Sequence, residues 1–260
     1  IRRQRQMCIR DSNHTIFNIF FVIIYMQRYT PGIGAYMKSR ELLGEYDSNQ
    51  SEMMGESCIR VNSNDEVVGP VSKFEAHRNE GILHRAFSVL IFDNRNRLLI
   101  QKRSDDKITF PGYWANRCCS HPLFDYGELE SGIVEGVAKA AIRKMPQELG
   151  IDTSNMKPSD FNLIGRFEYK AKAKSGWVEH EIDYVIATHF KVDFNLNSNE
   201  VSEIKWLSKE DLTIFCNENP EIIAPWFLAI INLYLKDWWP NDSKDYLKYD
   251  LQIINKGELI

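Results

Sequence analysis

The chain has 260 residues, 43% hydrophobic and 26% charged, with a formal net charge of −4. This is an ordinary soluble globular balance with room for one large domain, and no Lys/Arg block after residue 10 supplies the basic footprint of a nucleic-acid partner. The five cysteines, Cys8, Cys58, Cys118, Cys119 and Cys216, form no even framework, so free thiols in a reducing compartment such as the cytoplasm are expected rather than a secreted disulfide scaffold.

The chain starts at Ile1, and Arg2, Arg3, Arg5 and Arg10 precede an apolar run from Ile16 to Met26. That run is too short to span a bilayer. Three readings stand: an organelle-targeting leader, a packed extension, or translated non-coding sequence. The opening IRRQRQMCIRDS favours the last, because it looks like adapter read-through. Residues 1–50 are therefore set aside, and the folded domain is expected over 51–240 with a tail at 241–260.

Cys58–Val61 and Glu66–Val68 flank the turn formers Asn62–Asp65 and predict a hairpin. Ala86–Phe92 and Arg97–Lys102 flank Asp93–Asn96 and predict a second one. Residues 131–148 read as a helix stopped at Gly150. Phe161–Ala171 and Val178–His189 read as long strands around Lys174-Ser175-Gly176, and Val201–Leu207 as another. Ser208 with Asp211 resembles a capping box, and 222–239 predicts a C-terminal helix starting near Pro225. Strands and helices mix without a regular βαβ repeat, which indicates α+β with a mixed or antiparallel sheet.

Within these elements, some residues can do chemistry. In Cys119-Ser120-His121, alternate residues of an extended segment share a side, so a thiol and an imidazole can face one cavity while Cys118 points into the core. The plain alternative is that Cys119 is a small buried apolar residue. Period-2 geometry puts Glu179, Glu181 and Asp183 on one strand face and His180, Ile182, Tyr184 and Ile186 on the other, which goes to the core. By pattern alone the acids read as solvated surface; the other reading is a ligand set, since close carboxylates repel unless a cation or proton intervenes. His77, His84 and His121 with two glutamates would suit Mg²⁺, Mn²⁺ or Zn²⁺. Lys73, Arg103 and Lys107 lie on the flanking segments. They are either solvated loop charges or cations converging on a phosphate.

The stretches HRAFSVLIFDNRNRLLIQKRSDDKITFPGYW, NRCCSHPL and WVEHEIDYV, in that order, resemble the type 1 isopentenyl-diphosphate isomerases from about Ser57 to Trp239. The resemblance implies a Nudix-type fold, a mixed β-sheet packed between helices with an added N-terminal hairpin and C-terminal helix. It implies metal ligands His77, His84, His121, Glu179 and Glu181, and a second ion, Mg²⁺ arriving with the diphosphate, at Glu148. Cys119 and Glu181 would form the catalytic pair, and Tyr169 and Trp226 would sit beside the hydrocarbon. Lys73, Arg103, Lys107 and Ser120 would contact the diphosphate of a small-molecule substrate bound by a cytoplasmic monomer. The activity implied is interconversion of isopentenyl and dimethylallyl diphosphate for isoprenoid precursors.

The Nudix hydrolase box, R-E-U-x-E-E-x-G-U, falls on Arg143–Ile151, where Lys144 and Gln147 replace carboxylates. The box glycine falls on Leu129, while Glu135 is kept. A diphosphatase would thus have lost most of its metal-binding acids, and a non-catalytic metal module would not need Cys119 and Glu181. Ala115 and Arg117 stand where the family usually carries threonines, as does Ala224. Pro146 falls inside the helix, where a proline costs about 3 kcal/mol, and predicts a kink or an early end near Glu148.

Overall fold

The computed structural model describes residues 42–129, 132–189, 195–240 and 252–260, and the chain divides into two compact units, Ile1–Glu45 and Tyr46–Ile260. The arginine-rich opening, the apolar run 16–26, Cys8 and His14 lie outside the described residues. The second unit begins earlier than residue 51. Asp47 caps helix α1 (Ser48–Met53), its carboxylate accepting from Asn49 N at 2.8 Å and Gln50 N at 3.2 Å.

Strands β1 (Ser57–Val61) and β2 (Val67–Ser72) pair antiparallel as the expected hairpin. Asn62 builds the turn by accepting from the backbone nitrogens of Asn64 and Glu66, both at 3.0 Å. Ser72 then caps α2 (Lys73–Ala76). The second expected hairpin opens. Asp93 organises its turn by accepting from Arg95 N and Arg97 N, both at 2.9 Å, yet β3 (His84–Phe92) and β4 (Leu98–Arg103) meet only at Phe92↔Leu98. The rest of that edge of β3 is taken by β6 (Cys119–Ser120) and β1, and β4 pairs instead with β5 (Trp114–Asn116) and β9 (Val201–Leu207).

Helix α3 (Ile133–Leu149) puts Val137, Ala141, Met145 and Leu149 on one buried stripe at the helical spacing. Pro146 does not end it early: the helix runs on to Leu149. A proline leaves the carbonyl four residues back without its donor. That carbonyl, Ile142 O, receives the Thr153 hydroxyl at 3.1 Å. The helix ends as expected at Gly150, with φ +62, where a Cβ would lie 2.3 Å from Asn195 O.

Strands β7 (Asn162–Lys172) and β8 (Val178–His189) pair antiparallel, and β8 runs parallel to β3 from His84↔Glu181 to Phe92↔His189. Ser208 caps α4 (Lys209–Glu218), its hydroxyl accepting from Asp211 N at 3.1 Å and donating to the Asp211 carboxylate at 2.8 Å. The C-terminal helix is not one uniform rod: α5 (Pro225–Ile230) widens into a π segment, Ile231–Leu235, that seats Tyr234 on Gly165. The region set aside as a tail contributes β10 (Ile253–Leu259), an edge strand parallel to β7.

The strands form one mixed sheet in the order β10-β7-β8-β3-β1-β2, with β4 and β6 also pairing with β3, and β5 and β9 pairing with β4. Helix α3 covers one face, where Phe87, Val89 and Ile91 of β3 meet Ile182, Tyr184 and Ile186 of β8. Helix α5 packs near β5, β7 and β10. Strand β8 is buried on both faces, so the expectation that its acids are solvated is overturned: Glu179, Glu181 and Asp183 are 6%, 6% and 1% exposed. His180, placed by the pattern on the core face, is half-buried. No helix among the described residues is long and apolar enough to cross a membrane.

The hairpin is fastened to the sheet by Asp65, a turn residue directed inward. Its carboxylate accepts from Arg85 Nε at 2.6 Å, Arg166 Nη1 at 3.0 Å and the Tyr184 hydroxyl, and Arg85 Nη2 donates to the Asp65 carbonyl at 2.8 Å. Removing one partner of such a group strands buried charge, so Asp65→Ala is expected to lower stability by roughly 3–5 kcal/mol in urea denaturation. A loss under about 1 kcal/mol would show that the hairpin is held by its apolar contacts instead.

Candidate active site

Strand alternation brings Glu179, Glu181 and Asp183 of β8 and Ser88 of β3 to one wall of an open pocket of about 640 Å³. Loop and helix ends supply the rest. His77 follows α2, His121 follows β6, and Trp226 stands in the first turn of α5.

Three imidazoles gather there, with ring centroids 4.8–5.0 Å apart. One ligand-competent atom from each of His77, His84, His121 and Glu181 lies within 4.8 Å of the others. Backbone carbonyls fix two of the tautomers. His77 Nδ1 donates to Lys73 O and His84 Nδ1 to Ile82 O, both at 2.7 Å, so their Nε2 lone pairs face inward. There His77 Nε2 meets Glu179 Oε2 at 2.8 Å, and His84 Nε2 has no hydrogen-bond partner, with Glu181 Oε1 3.7 Å away. His121 Nε2 lies 2.9 Å from the same Glu181 oxygen, and its Nδ1 is buried without a partner. Electron-rich atoms converging on one point, orphaned and out of water, fit a divalent cation.

Burial and His77 push His84 down to about 3, and burial with His84 and His77 pushes His121 well down too, so both imidazoles stay neutral, as ligands must be. Burial raises Glu179, but its neighbours, His77 first and then Thr109 and Arg103, outweigh it and hold that carboxyl well below its usual range. Burial, then Glu179 and Asp183, push Glu181 well up. The Tyr169 hydroxyl donates to Glu181 Oε2 at 2.6 Å, an anchoring role that the sequence, which set Tyr169 only beside the hydrocarbon, did not indicate.

The loop carrying His121 is clamped. Arg143 donates to His121 O at 3.1 Å and to Glu128 at 2.6 Å, while Glu128 accepts from Leu123 N at 2.6 Å. Cys118 is fully buried in the α3 core and Cys119 is half-buried and lines the pocket, the expected sides, but Cys118 has φ +61, so a left-handed residue rather than extended alternation separates them. Cys58 and Cys216 are also free thiols.

The pocket wall is also basic: Lys73, Arg103, Lys107 and Lys144 all line it, as does Ser120. Arg103 donates to Thr109 O and Phe110 O, and its guanidinium lies 5.5 Å from the Trp226 ring centre. Lys107 pairs with Glu200 at 2.7 Å, but burial and the neighbouring Arg103, Lys144 and Lys73 push it down to about 8. Burial opposes the charge of Lys73, and Glu56 at 3.3 Å more than restores it. A cation cluster with mutual repulsion is a receptor for an anion.

Not every expected residue reaches the pocket wall. His84 stands behind it, within the imidazole cluster. Glu148 is 2% exposed and off the wall, its carboxyl raised by burial and by Glu200. Lys107 and Lys144 pair with Glu200 and lower the Glu148 carboxyl against that burial. Lys144, visible in the sequence only as a lost box carboxylate, is on the wall. So are Ser88, Thr109, Asp183 and Gln50, the last inside the segment set aside.

The NUDIX domain family matches residues 82–227. The chain is 41% identical over 219 residues to isopentenyl-diphosphate Delta-isomerase 1 of Bos taurus, covering 82% of this chain and 96% of that one. It is 40% identical over 210 residues to the isopentenyl-diphosphate delta-isomerase of Schizosaccharomyces pombe, covering 78% and 92%. Among solved structures, the DR0079 protein of Deinococcus radiodurans shares the fold, with a TM-score of 0.51 at 18% identity over 69% of this chain and 99% of that one.

His84→Ala and His121→Ala are each expected to weaken binding of Mn²⁺ or Zn²⁺ by at least about tenfold, the scale for losing even a supporting partner of a ligand. Elemental analysis after dialysis reads this directly. An unchanged metal content would remove that histidine from the cluster.

Proposed function

The chain belongs to the isopentenyl-diphosphate Delta-isomerase family, and on that premise we propose that Cys119 and Glu181 are the proton-transfer pair of its double-bond isomerisation. The activity is interconversion of isopentenyl and dimethylallyl diphosphate, a step of isoprenoid precursor biosynthesis. The observation that carries the assignment is that Cys119 and Glu181 line one pocket from strands on opposite edges of β3.

An alkene is a weak base and its C–H bonds are weak acids. Protonation at C4 gives a tertiary cation at C3, and loss of a C2 proton completes the shift. Two groups facing the substrate from different sides meet that need. Tyr169 orients Glu181 through its hydroxyl, and Glu179, His77, His84 and His121 complete the ligand set. A divalent ion held by these residues would supply fixed positive charge that keeps Glu181 ionised and oriented. Lys73, Arg103, Lys107 and Lys144 with Ser120 take the diphosphate in this reading, and the hydrocarbon lies toward Cys119, Glu181 and Trp226; that all of them line one pocket supports it. The Trp226 face stabilises the cation by about 2 kcal/mol when desolvated, and the same ring orients Arg103. Its near-complete burial also helps exclude water from an allylic diphosphate.

Incubation of the protein with isopentenyl diphosphate and Mg²⁺ should yield the dimethylallyl isomer, whereas release of phosphate would revive the diphosphatase reading. Cys119→Ala should abolish turnover with metal content unchanged. Cys118→Ala should retain turnover and lose about 1 kcal/mol of stability. An inactive, folded Cys118→Ala would reverse the register of this loop and take the roles of Ser120 and His121 with it. Trp226→Phe should keep measurable turnover and Trp226→Leu should lose far more, because leucine fills space without a π face. Equal rates in the two would make the position one of packing alone.

A further inference from the structure

Strand β3 is apolar through Phe87, Val89, Leu90, Ile91 and Phe92, yet it carries one serine at its centre, Ser88, 1% exposed and on the pocket wall. Its register partners are Cys119 on β6 and Val185 on β8. The Ser88 Oγ lies 2.7 Å from Asp183 Oδ2 and 3.7 Å from Cys119 Sγ. The sulfur also lies 3.6 Å from the carbonyl of Asn116. The reaction as assigned above uses neither Ser88 nor Asp183.

A serine hydroxyl has one proton and two lone pairs, so it can bridge two polar neighbours at once. Here it stands between Asp183 Oδ2 and Cys119 Sγ. The thiol itself donates to Asn116 O. A free thiol rotates among its staggered positions; this one is bracketed between the Ser88 hydroxyl and the Asn116 carbonyl.

The geometry points to Ser88 as a positioning residue for Cys119, anchored by Asp183 and holding the sulfur and its hydrogen in one orientation at the pocket wall. This rests on the reading of Cys119 as a proton-transfer group. Orientation of a reacting group is worth large factors in rate.

The test is Ser88→Ala in the full chain with its metal, assayed on isopentenyl diphosphate beside Cys119→Ala. The expected result is a kcat lower by about tenfold or more with KM unchanged, and recovery of most of the rate in Ser88→Thr, which restores a hydroxyl on the same carbon. A Ser88→Ala enzyme with wild-type kcat, while Cys119→Ala is inactive, overturns the proposal and spares the catalytic assignment. An active Cys119→Ala overturns the assignment itself. The S–H stretching band supplies a readout that a purely structural serine would not move. The difference between the wild-type infrared spectrum and that of Cys119→Ser isolates the Cys119 band. It is expected at a hydrogen-bonded frequency in the wild type, shifted toward the free-thiol value in Ser88→Ala. A free-thiol frequency in the wild type overturns the proposal even if no Ser88 variant folds.

Discussion

His84 stands opposite Glu181 in the sheet, and the same parallel register continues to Phe92 opposite His189. A slip by one residue would turn each side chain of β8 to its other face. Glu179, Glu181 and Asp183 would then enter the α3 core, and Ile182, Tyr184 and Ile186 would face the pocket. Burying a carboxylate in an apolar layer costs several kcal/mol. The register is therefore held by the groups that line the pocket as well as by the apolar ones behind them. From that register the rest follows: β6 is aligned on β3 at Ser88↔Cys119, and His77 and His121 are brought to the open ends of the same strands.

Much of this was legible in the residues. Asn62 and Asp93 as turn builders, Gly150 as a left-handed stop and Ser208 as a cap are local signals, and each appears as read. Cys118 and Cys119 face the sides expected of them, although Cys118 turns there through a left-handed backbone rather than an extended one. What was not legible depends on the second layer. A period-2 pattern distinguishes the two faces of β8 but does not say that both are covered, so the acids read as solvated. Asp65 reads as an ordinary turn former, because Arg85, Arg166 and Tyr184 reach it from distant parts of the chain. Lys144 reads as a missing carboxylate, because its position against Glu200 is set by the loop at 195–200. The strand at 253–259 has an exposed, polar pattern, and its pairing with β7 is made by backbone.

The pocket wall carries two kinds of group. Imidazoles and carboxylates present lone pairs, and Lys73, Arg103, Lys107 and Lys144 present protons. Glu56 and Glu200 answer part of the positive charge, and burial raises the energy of what is left. A ligand that brings both a cation and an anionic head meets complementary charge on this wall before any chemistry begins.

The bond from Thr153 to Ile142 O ties together two positions that look unrelated in the sequence. With Pro146 in place, the hydroxyl satisfies a carbonyl that would otherwise be stranded in the last turns of α3. With an ordinary residue at 146, the backbone would satisfy that carbonyl and the hydroxyl would be redundant. The two positions are therefore epistatic: substitution at 153 is severe in one background and nearly silent in the other. A lineage acquiring the proline first would pass through a weakened helix, whereas the threonine could arrive beforehand at no loss. The order of those changes is constrained by one hydrogen bond.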